Sequence, residues 1–532
     1  MPIDEGGVAD ELLRFTDAVE ASRAEIENAK RELTGQHGST HASILDGYLL
    51  MHDDPAFVDA VKELVRDELV NAESAVSKVA ERLRAPLLGD ASAYFRERAR
   101  DVSHLEEHLL RQLRGDSTQT PLPETPTVLV ASDLTPTDAV RMLAPPTAGL
   151  VTAHGAPSSH TSILARAFGV PTVVGVGSRV EKICNGESVL VDGFAGEVRT
   201  RFTDAEREDA ESRQARYVAF LGDTSVEGPA VTEDGVEVVV SANMSLPSEA
   251  EAALESGASG VGLYRTELMC LDGTEPPSED QQAQIYEEVV RTMAPRPVVF
   301  RTFDWRGDKR LRAPDLESHE RDWLKTQVRA ILRASTAGNV SLMFPMVSTL
   351  EQFRAGRALV DEARAELGDA EVGDVSVGMM VEVPSAALLA DLFAAHADFF
   401  AVGTNDLAHY TLASDRWDPG ADVTPLDPAV LKLLASVTAS ADRAGIPCSL
   451  CGGIATDPIA LGLMTALGFR RVSVPVTAVP LARAVVRRVD LGSASRVATD
   501  ALACETLAQV EALLDERLKP TLDPLSGPSD ED

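Results

Sequence analysis

Arginines at 265, 301 and 416, carboxylates at 382 and 406, Lys309, Asn405 and a cysteine at 451 are the side chains of this sequence best suited to work on a phosphate. Arginine forks grip phosphate and carboxylate oxygens in pairs. Two oxygen ligands such as Glu382 and Asp406 suit Mg2+, which keeps several waters and binds through substrate oxygens. A lone cysteine among them can move a proton to or from carbon. The set therefore implies a small anion carrying phosphate, held by cations and one metal, and phosphoryl transfer needs little more than that positioning and charge neutralisation. Taken singly, each residue reads as surface solvation or a cap. Taken together they are hard to dismiss, because cations are scarce in a chain with 49 Lys and Arg against 84 Asp and Glu.

A second group lies in Gly155-Ala-Pro-Ser-Ser-His160-Thr-Ser-Ile-Leu-Ala-Arg166. A turn of small residues leads into a helix starting near His160. The N–H groups and dipole at a helix start favour an anion, and Arg166 lies six residues on. The spacing admits two readings, a phosphorylated imidazole or a helix start capped by Ser159. Cys448-Ser-Leu-Cys451 has the CxxC spacing, but no second ligand pair lies near it for zinc, and it ends a strand rather than opening a helix.

The elements that must position these residues follow from periodicity. From residue 232 onward, apolar runs alternate with helical patterns: Val236–Val240, Gly260–Leu263, Pro297–Phe300, Ser341–Phe344, Val377–Val381, Phe399–Val402, Ile446–Leu450 and Arg471–Val474. Eight such units in about 250 residues is the size of a (β/α)8 barrel, whose chemistry sits where the strands end. Arg265, Arg301, Glu382, Asn405 and Cys451 all fall at strand ends, and Asp304, Lys309, Asp406 and Arg416 in the loops beyond. Residues 127–200 carry four short strands and read as a small α/β domain. Residues 8–113 show no strand signal; Leu12, Phe15, Val19, Ile26, Ala29 and Leu33 recur at helical spacing, as do apolar residues over 56–83 and 95–113. That predicts a helical bundle. Residues 115–126 are a polar, proline-rich linker, 201–231 a charged helical connection, 232–519 the barrel, and 520–532 an acidic tail expected to be disordered.

The 532 residues carry a formal charge of −35, which argues against nucleic-acid binding. Five cysteines are too few for a disulfide framework. The first residues lack the pattern of a signal peptide, and no apolar run reaches the ~18 residues of a membrane span. A cytoplasmic protein without membrane insertion is expected.

The stretches SSHTSILARAFGVPTVVG, GASGVGLYRTEL, VVFRTFDWRGDK, SLMFPMV, MMVEVPSAA, DFFAVGTNDLAHYTLASDR and CSLCGG resemble the phosphoenolpyruvate-protein phosphotransferases, enzyme I of the bacterial sugar phosphotransferase system. ILDGYLLMHDDPAF is similar to the family's helical phosphocarrier-binding domain, and the likeness runs from about residue 10 to residue 515. The barrel alone is shared with pyruvate phosphate dikinase and phosphoenolpyruvate synthase; the helical segment ahead of the His160 region separates this chain from them.

The resemblance implies a helical bundle, a swivelling phosphohistidine domain and a (β/α)8 TIM barrel. It also implies roles. His160 is phosphorylated, with Arg166 stabilising the phosphohistidine. Arg265, Arg301 and Lys309 hold the phosphate of phosphoenolpyruvate. Asn405, Asp406 and Arg416 contact the rest of the substrate, Glu382 and Asp406 ligate Mg2+, and Cys451 protonates the enolpyruvate carbon. The phosphoryl group then passes to a histidine of the phosphocarrier HPr, docked on the helical domain, and the barrel forms a homodimer. The His160 domain is expected to swing on the 115–126 and 200–230 connections. Departures from the family pattern are equally visible. The opening strand of the His domain has no counterpart, Pro157 stiffens the loop before His160, and Gly453 stands where the family carries Glu. An arginine segment after Lys309 is also missing, for which Arg321 is the nearest substitute. These motivate the alternative of a catalytically weak regulatory or scaffold paralogue.

Overall fold

Phe15, Ala18, Ser22, Ile26, Ala29 and Leu33 are buried, and they recur every three or four residues. One buried stripe of this period makes Val8–His37 an amphipathic helix, α1. Leu12 and Val19 pack against the core only in part. In the computed structural model, residues 2–37, 44–88, 93–115, 122–155, 159–222, 229–247, 249–267, 277–303, 316–368, 372–414 and 423–524 are described. The chain divides into two units, residues 1–207 and 208–532.

In the first unit α1 is followed by α2 (Ile44–Asp53), α3 (Pro55–Asp67), α4 (Ala72–Leu88) and α5 (Ala93–Arg114). The periodic run over 56–83 is two helices rather than one. The break falls at Leu69, which takes φ +50°, and Val70, which bridges Pro2. Phe57, Val61 and Val65 of α3 meet Val76, Val79 and Ala80 of α4 and Leu105 and Leu109 of α5 in one core.

The α/β region comprises β1 (Thr127–Ala131), α6 (Pro136–Met142), β2 (Thr147–Thr152), α7 (His160–Ala167) and β3 (Thr172–Val173). The three strands are parallel in the order β1–β2–β3. A hairpin of β4 (Leu190–Asp192) and β5 (Glu197–Arg199) follows. Among the described residues, none before Thr127 joins this sheet. Thr135 caps α6 by accepting from Asp138 N–H, with Pro136 at the first turn. Ile26 and Leu33 of α1, Leu45 and Tyr48 of α2, Val140 of α6, Leu150 of β2 and Leu164 of α7 share a core, so the helices and the α/β region pack together within this unit.

Helix α8 (Asp204–Gly222) and strand β6 (Ala230–Val231) precede the barrel. β6 pairs antiparallel with β7 (Glu237–Met244), so the barrel sheet begins before the expected boundary at 232. Then come α9 (Glu249–Glu255), β8 (Val261–Arg265), α10 (Glu279–Met293), β9 (Val298–Arg301), α11 (Leu316–Ala334), β10 (Val340–Phe344), α12 (Leu350–Leu367) and β11 (Val375–Val381). The turn is completed by α13 (Pro384–Leu388), α14 (Ala390–Ala394), β12 (Phe400–Gly403), α15 (Thr404–Thr411), α16 (Pro428–Ala444), β13 (Cys448–Cys451), α17 (Pro458–Ala466), β14 (Arg471–Pro475) and α18 (Val479–Val486). β7 to β14 pair in parallel, each with the next, and β14 closes on β7. This is the expected closed (β/α)8 barrel.

Strand alternation explains the layers. Phe300, Leu342, Met379, Phe400, Leu450 and Val472 face the helices. Leu263, Met343, Met380, Ala401 and Cys451 fill the inside. Capping boxes at Ser278–Gln281 and Thr349–Gln352 start α10 and α12. Three more helices follow, α19 (Leu491–Ala503), α20 (Leu507–Arg517) and α21 (Lys519–Leu522). Leu522 is buried against Gly462 of α17, where a Cβ would collide with it. Ordered chain therefore extends past the expected tail boundary at 520; residues 525–532 lie outside the described ones.

Candidate active site

The register of β8 on β9 sets Arg265 directly beside Arg301. Two like charges thus share the C-terminal rim of the barrel. Crowding by the rim, and then the charge of Arg301, lower the pKa of Arg265; Glu267, Cys451 and Glu249 pull the other way. Arg301 Nη2 is paired with Glu267 Oε1, and its Nη1 lies 3.8 Å from Met380 Sδ. Glu267 Oε2 is buried with no hydrogen-bond partner among the described residues.

A buried amide holds these strand ends in place. Gln327 of α11 donates to Thr266 Oγ1 and to Tyr286 Oη, both at 3.0 Å, and accepts from Phe303 N–H at 2.9 Å. Thr266 in turn donates to the Arg301 carbonyl at 2.9 Å. Neither Glu267 nor Gln327 was among the residues singled out from sequence. For Glu267 a signal existed, since a carboxylate two positions after Arg265 stands within reach of the next strand. Gln327 gives none, being one polar residue on a long helix.

Glu382 follows β11, is 1 % exposed, and accepts from Met346 N–H at 2.6 Å. Met346 takes φ +52°, which turns its N–H to that carboxylate. A Cβ at Gly403 would come within 2.9 Å of Glu382 Oε2, so glycine there leaves the carboxylate its room. Asn405 and Asp406 stand on the first turn of α15. Asn405 Oδ1 accepts from Gly453 N–H at 3.2 Å, and Thr404 Oγ1 donates to the Cys451 carbonyl at 3.3 Å. Gly453 thus offers its backbone to Asn405. Glu382 and Asp406 are hard oxygen donors, the chemistry a small dication takes. Among the described residues, no three His, Cys, Asp or Glu side chains form a metal site by themselves.

Cys451 ends β13 inside the barrel and is 2 % exposed. Burial pushes its thiol up to about 11; the Ser449 hydrogen bond and the charges of Arg265 and Arg301 oppose this, and Glu382 adds to it. The thiol therefore keeps its proton at neutral pH, as an acid must. Cys448, also raised by burial, starts the same strand and is half-buried. Arg265, Arg301, Glu382 and Cys451 form one electrostatic group.

Other expected residues stand differently. Lys309, Asp304 and Arg416 lie outside the described residues. Arg321 is no substitute for the missing arginine in this structure: it is exposed and pairs with Glu362 at 2.5 Å on the outer surface of α11 and α12. In the α/β region His160 is the first residue of α7, and Arg166 stands on the same helix. Ser159 is buried and accepts from Ser162 N–H at 3.4 Å, so Ser159 caps this helix. The side chains of His160 and Arg166 lie outside what is described.

Three family models match the chain: a PEP-utilising enzyme N-terminal domain over 2–98, a PEP-utilising enzyme mobile domain over 123–196, and a PEP-utilising enzyme PEP-binding domain over 221–491. A phosphoenolpyruvate-protein phosphotransferase of Bacillus sp. (strain S) is 36 % identical over 523 residues, covering 94 % of this chain and 90 % of the relative. One from Bacillus subtilis (strain 168) is 33 % identical over 535 residues, covering 96 % and 93 %. A solution structure described as enzyme I is 31 % identical, covering 41 % of this chain and 88 % of that one, with a TM-score of 0.33.

Proposed function

The chain belongs to the phosphoenolpyruvate-protein phosphotransferase family, and on that premise we propose that its barrel mouth takes phosphoenolpyruvate and that His160 takes the phosphoryl group. The observation that carries this reading is the side-by-side pair Arg265 and Arg301 above a buried, protonated Cys451. Two guanidinium groups held together repel each other, and an anion with two or three charges relieves that repulsion.

The chemistry then follows from the side chains. Arg265 and Arg301, with Lys309, neutralise the phosphate oxygens, and Asn405 and Arg416 hold the remaining substrate oxygens. The His160 imidazole forms a bond to phosphorus as the bond from phosphorus to the enol oxygen breaks. The electron pair stays on the enolate, and Cys451 delivers its proton to the terminal carbon, giving pyruvate. Solvent returns a proton to the thiolate. Mg2+, held by Glu382 and Asp406, would neutralise charge on the phosphate and enolate oxygens when bound. Arg166, six residues beyond His160, supports the phosphohistidine by charge. The phosphoryl group then goes to a histidine of an HPr-type carrier bound at the helical region, and the working assembly is a barrel-mediated homodimer.

The test is incubation of the full chain with 32P-labelled phosphoenolpyruvate and Mg2+. Wild type should gain acid-labile label and release pyruvate, and His160→Ala should gain none. Equal labelling of the variant would overturn the assignment of His160.

A further inference from the structure

Helix α1 carries a serine where its buried stripe calls for an apolar residue. Ser22 is 0 % exposed, between Ala18 and Ile26 on the core face. Its hydroxyl lies 2.5 Å from His52 Nε2 on α2 and 2.8 Å from His108 Nδ1 on α5. The other nitrogen of each ring is also engaged. His52 Nδ1 is 2.7 Å from the Tyr48 carbonyl oxygen, and His108 Nε2 is 2.9 Å from Glu25 Oε2. Both rings are buried and meet edge-on at 6.3 Å.

The protons in this chain can be counted. Four contacts need four protons, one in each. Two neutral imidazoles and one hydroxyl bring three. With three, one contact sets two lone pairs against each other at hydrogen-bond distance in an apolar interior, which is costly. With a fourth, every contact becomes a hydrogen bond. The Glu25 carboxyl is held below its ordinary range, first by its hydrogen bond with His108 and against its own burial. The added proton therefore belongs to the imidazole pair.

Charged and polar groups from several elements surround this chain. From α1 there is Glu25, and from α2 Tyr48, whose hydroxyl donates to Asp101 at 2.6 Å. From α5 come Asp101, His104, Arg111 and Gln112; Gln112 donates to Glu25 at 2.8 Å. From the segment entering α6 come Asp133, 3.4 Å from His104 Nε2, and Asp138, which is capped to Thr135 and lies 3.9 Å from Arg141. Arg111 is shared, with Nη2 at 3.3 Å from Glu25 and Nη1 at 3.4 Å from Asp138. When the imidazole pair gives up its added proton, Glu25 keeps its charge, and Arg111 lies 3.3 Å from it. The pull on Arg111 then runs toward α1 and away from α6.

We propose that Ser22, His52, His108 and Glu25 form a buried proton-binding site whose occupancy fastens the α/β region to the helices, and whose emptying frees Arg111 from Asp138 and loosens it. The site is independent of the phosphoryl chemistry proposed above. Binding a proton favours the fastened form, so fastening is greatest on the acid side and declines as pH rises.

Two measurements on the full chain test this. First, long-range 15N correlation spectra of histidine-labelled protein report both nitrogens of each ring. At about pH 7 one of the His52 and His108 rings should show both nitrogens protonated. In Ser22→Ala the demand for the fourth proton disappears, and both rings should be neutral. Second, hydrogen exchange of residues 133–142, corrected for intrinsic rates, should lose about tenfold protection between about pH 6 and pH 8 in wild type. In His108→Gln it should not vary with pH. Two neutral rings in wild type at that pH, or pH-independent protection of 133–142 in wild type, would overturn the proposal, and neither result depends on a variant that folds.

Discussion

The chain contains two polar clusters built on opposite principles. In the barrel, Arg265 and Arg301 stand side by side, and Glu267 has one oxygen paired and one oxygen without a partner among the described residues. In the first unit, Ser22, His52, His108, Glu25 and Arg111 answer one another through a continuous run of contacts. Like charges held side by side repel, so a cluster that leaves them adjacent is finished by something from outside. A cluster that closes on itself is structural, or is a switch moved by the one ligand small enough to enter it, a proton.

The largest expected effect is at the acid. Cys451→Ala should slow pyruvate formation about 10²–10⁴-fold, read by coupled detection of pyruvate. The same step in wild type should hold its rate through neutral pH and fall as pH rises toward about 11, since the active form is the protonated thiol and that proton is retained until then. Next come the paired cations. Arg265→Ala or Arg301→Ala should each lower the phosphorylation rate about 10²–10³-fold in single-turnover labelling. If either variant phosphorylates at the wild-type rate, the barrel cluster is not the open one of the two.

Smaller effects sharpen the contrast. Glu267 touches Arg301 and acts through it, so it is a positioning residue. Glu267→Gln should raise KM for phosphoenolpyruvate about tenfold while changing kcat less, and Glu267→Asp should restore part of the loss. In the closed cluster, Tyr48→Phe removes the hydrogen bond to Asp101 and should destabilise the first unit by about 1.5–3 kcal/mol in denaturant unfolding, with barrel phosphoenolpyruvate affinity unchanged.

Much of the architecture was legible. Each of the eight barrel strands is a short apolar, β-branched run between turn residues, and each appears within a few residues of where the pattern placed it. The strand-end positions of Arg265, Arg301, Glu382 and Cys451 followed from those runs. What was not legible depends on three-dimensional neighbours. The helix break at Leu69 lies in an uninterrupted apolar period, and a positive φ at leucine leaves no mark in composition. Arg321 has the right charge in the right stretch, yet the helix turns it to the outer surface, where Glu362 takes it. Leu522 sits in a Pro-rich, acidic end, but Gly462 supplies a slot that buries it. Ser22, His52 and His108 come from three separate helices, so no spacing could unite them. Their one trace was a serine on a core stripe.

The central claim is that the barrel mouth is completed by the substrate's anionic charge. A crystal of the full chain grown with phosphoenolpyruvate and Mg2+ tests it most directly. The predicted result is density for the ester with phosphate oxygens within hydrogen-bond distance of both Arg265 and Arg301, and its terminal carbon against Cys451 Sγ. Bound ester elsewhere on the barrel, with those two guanidinium groups turned away from it, would contradict the account.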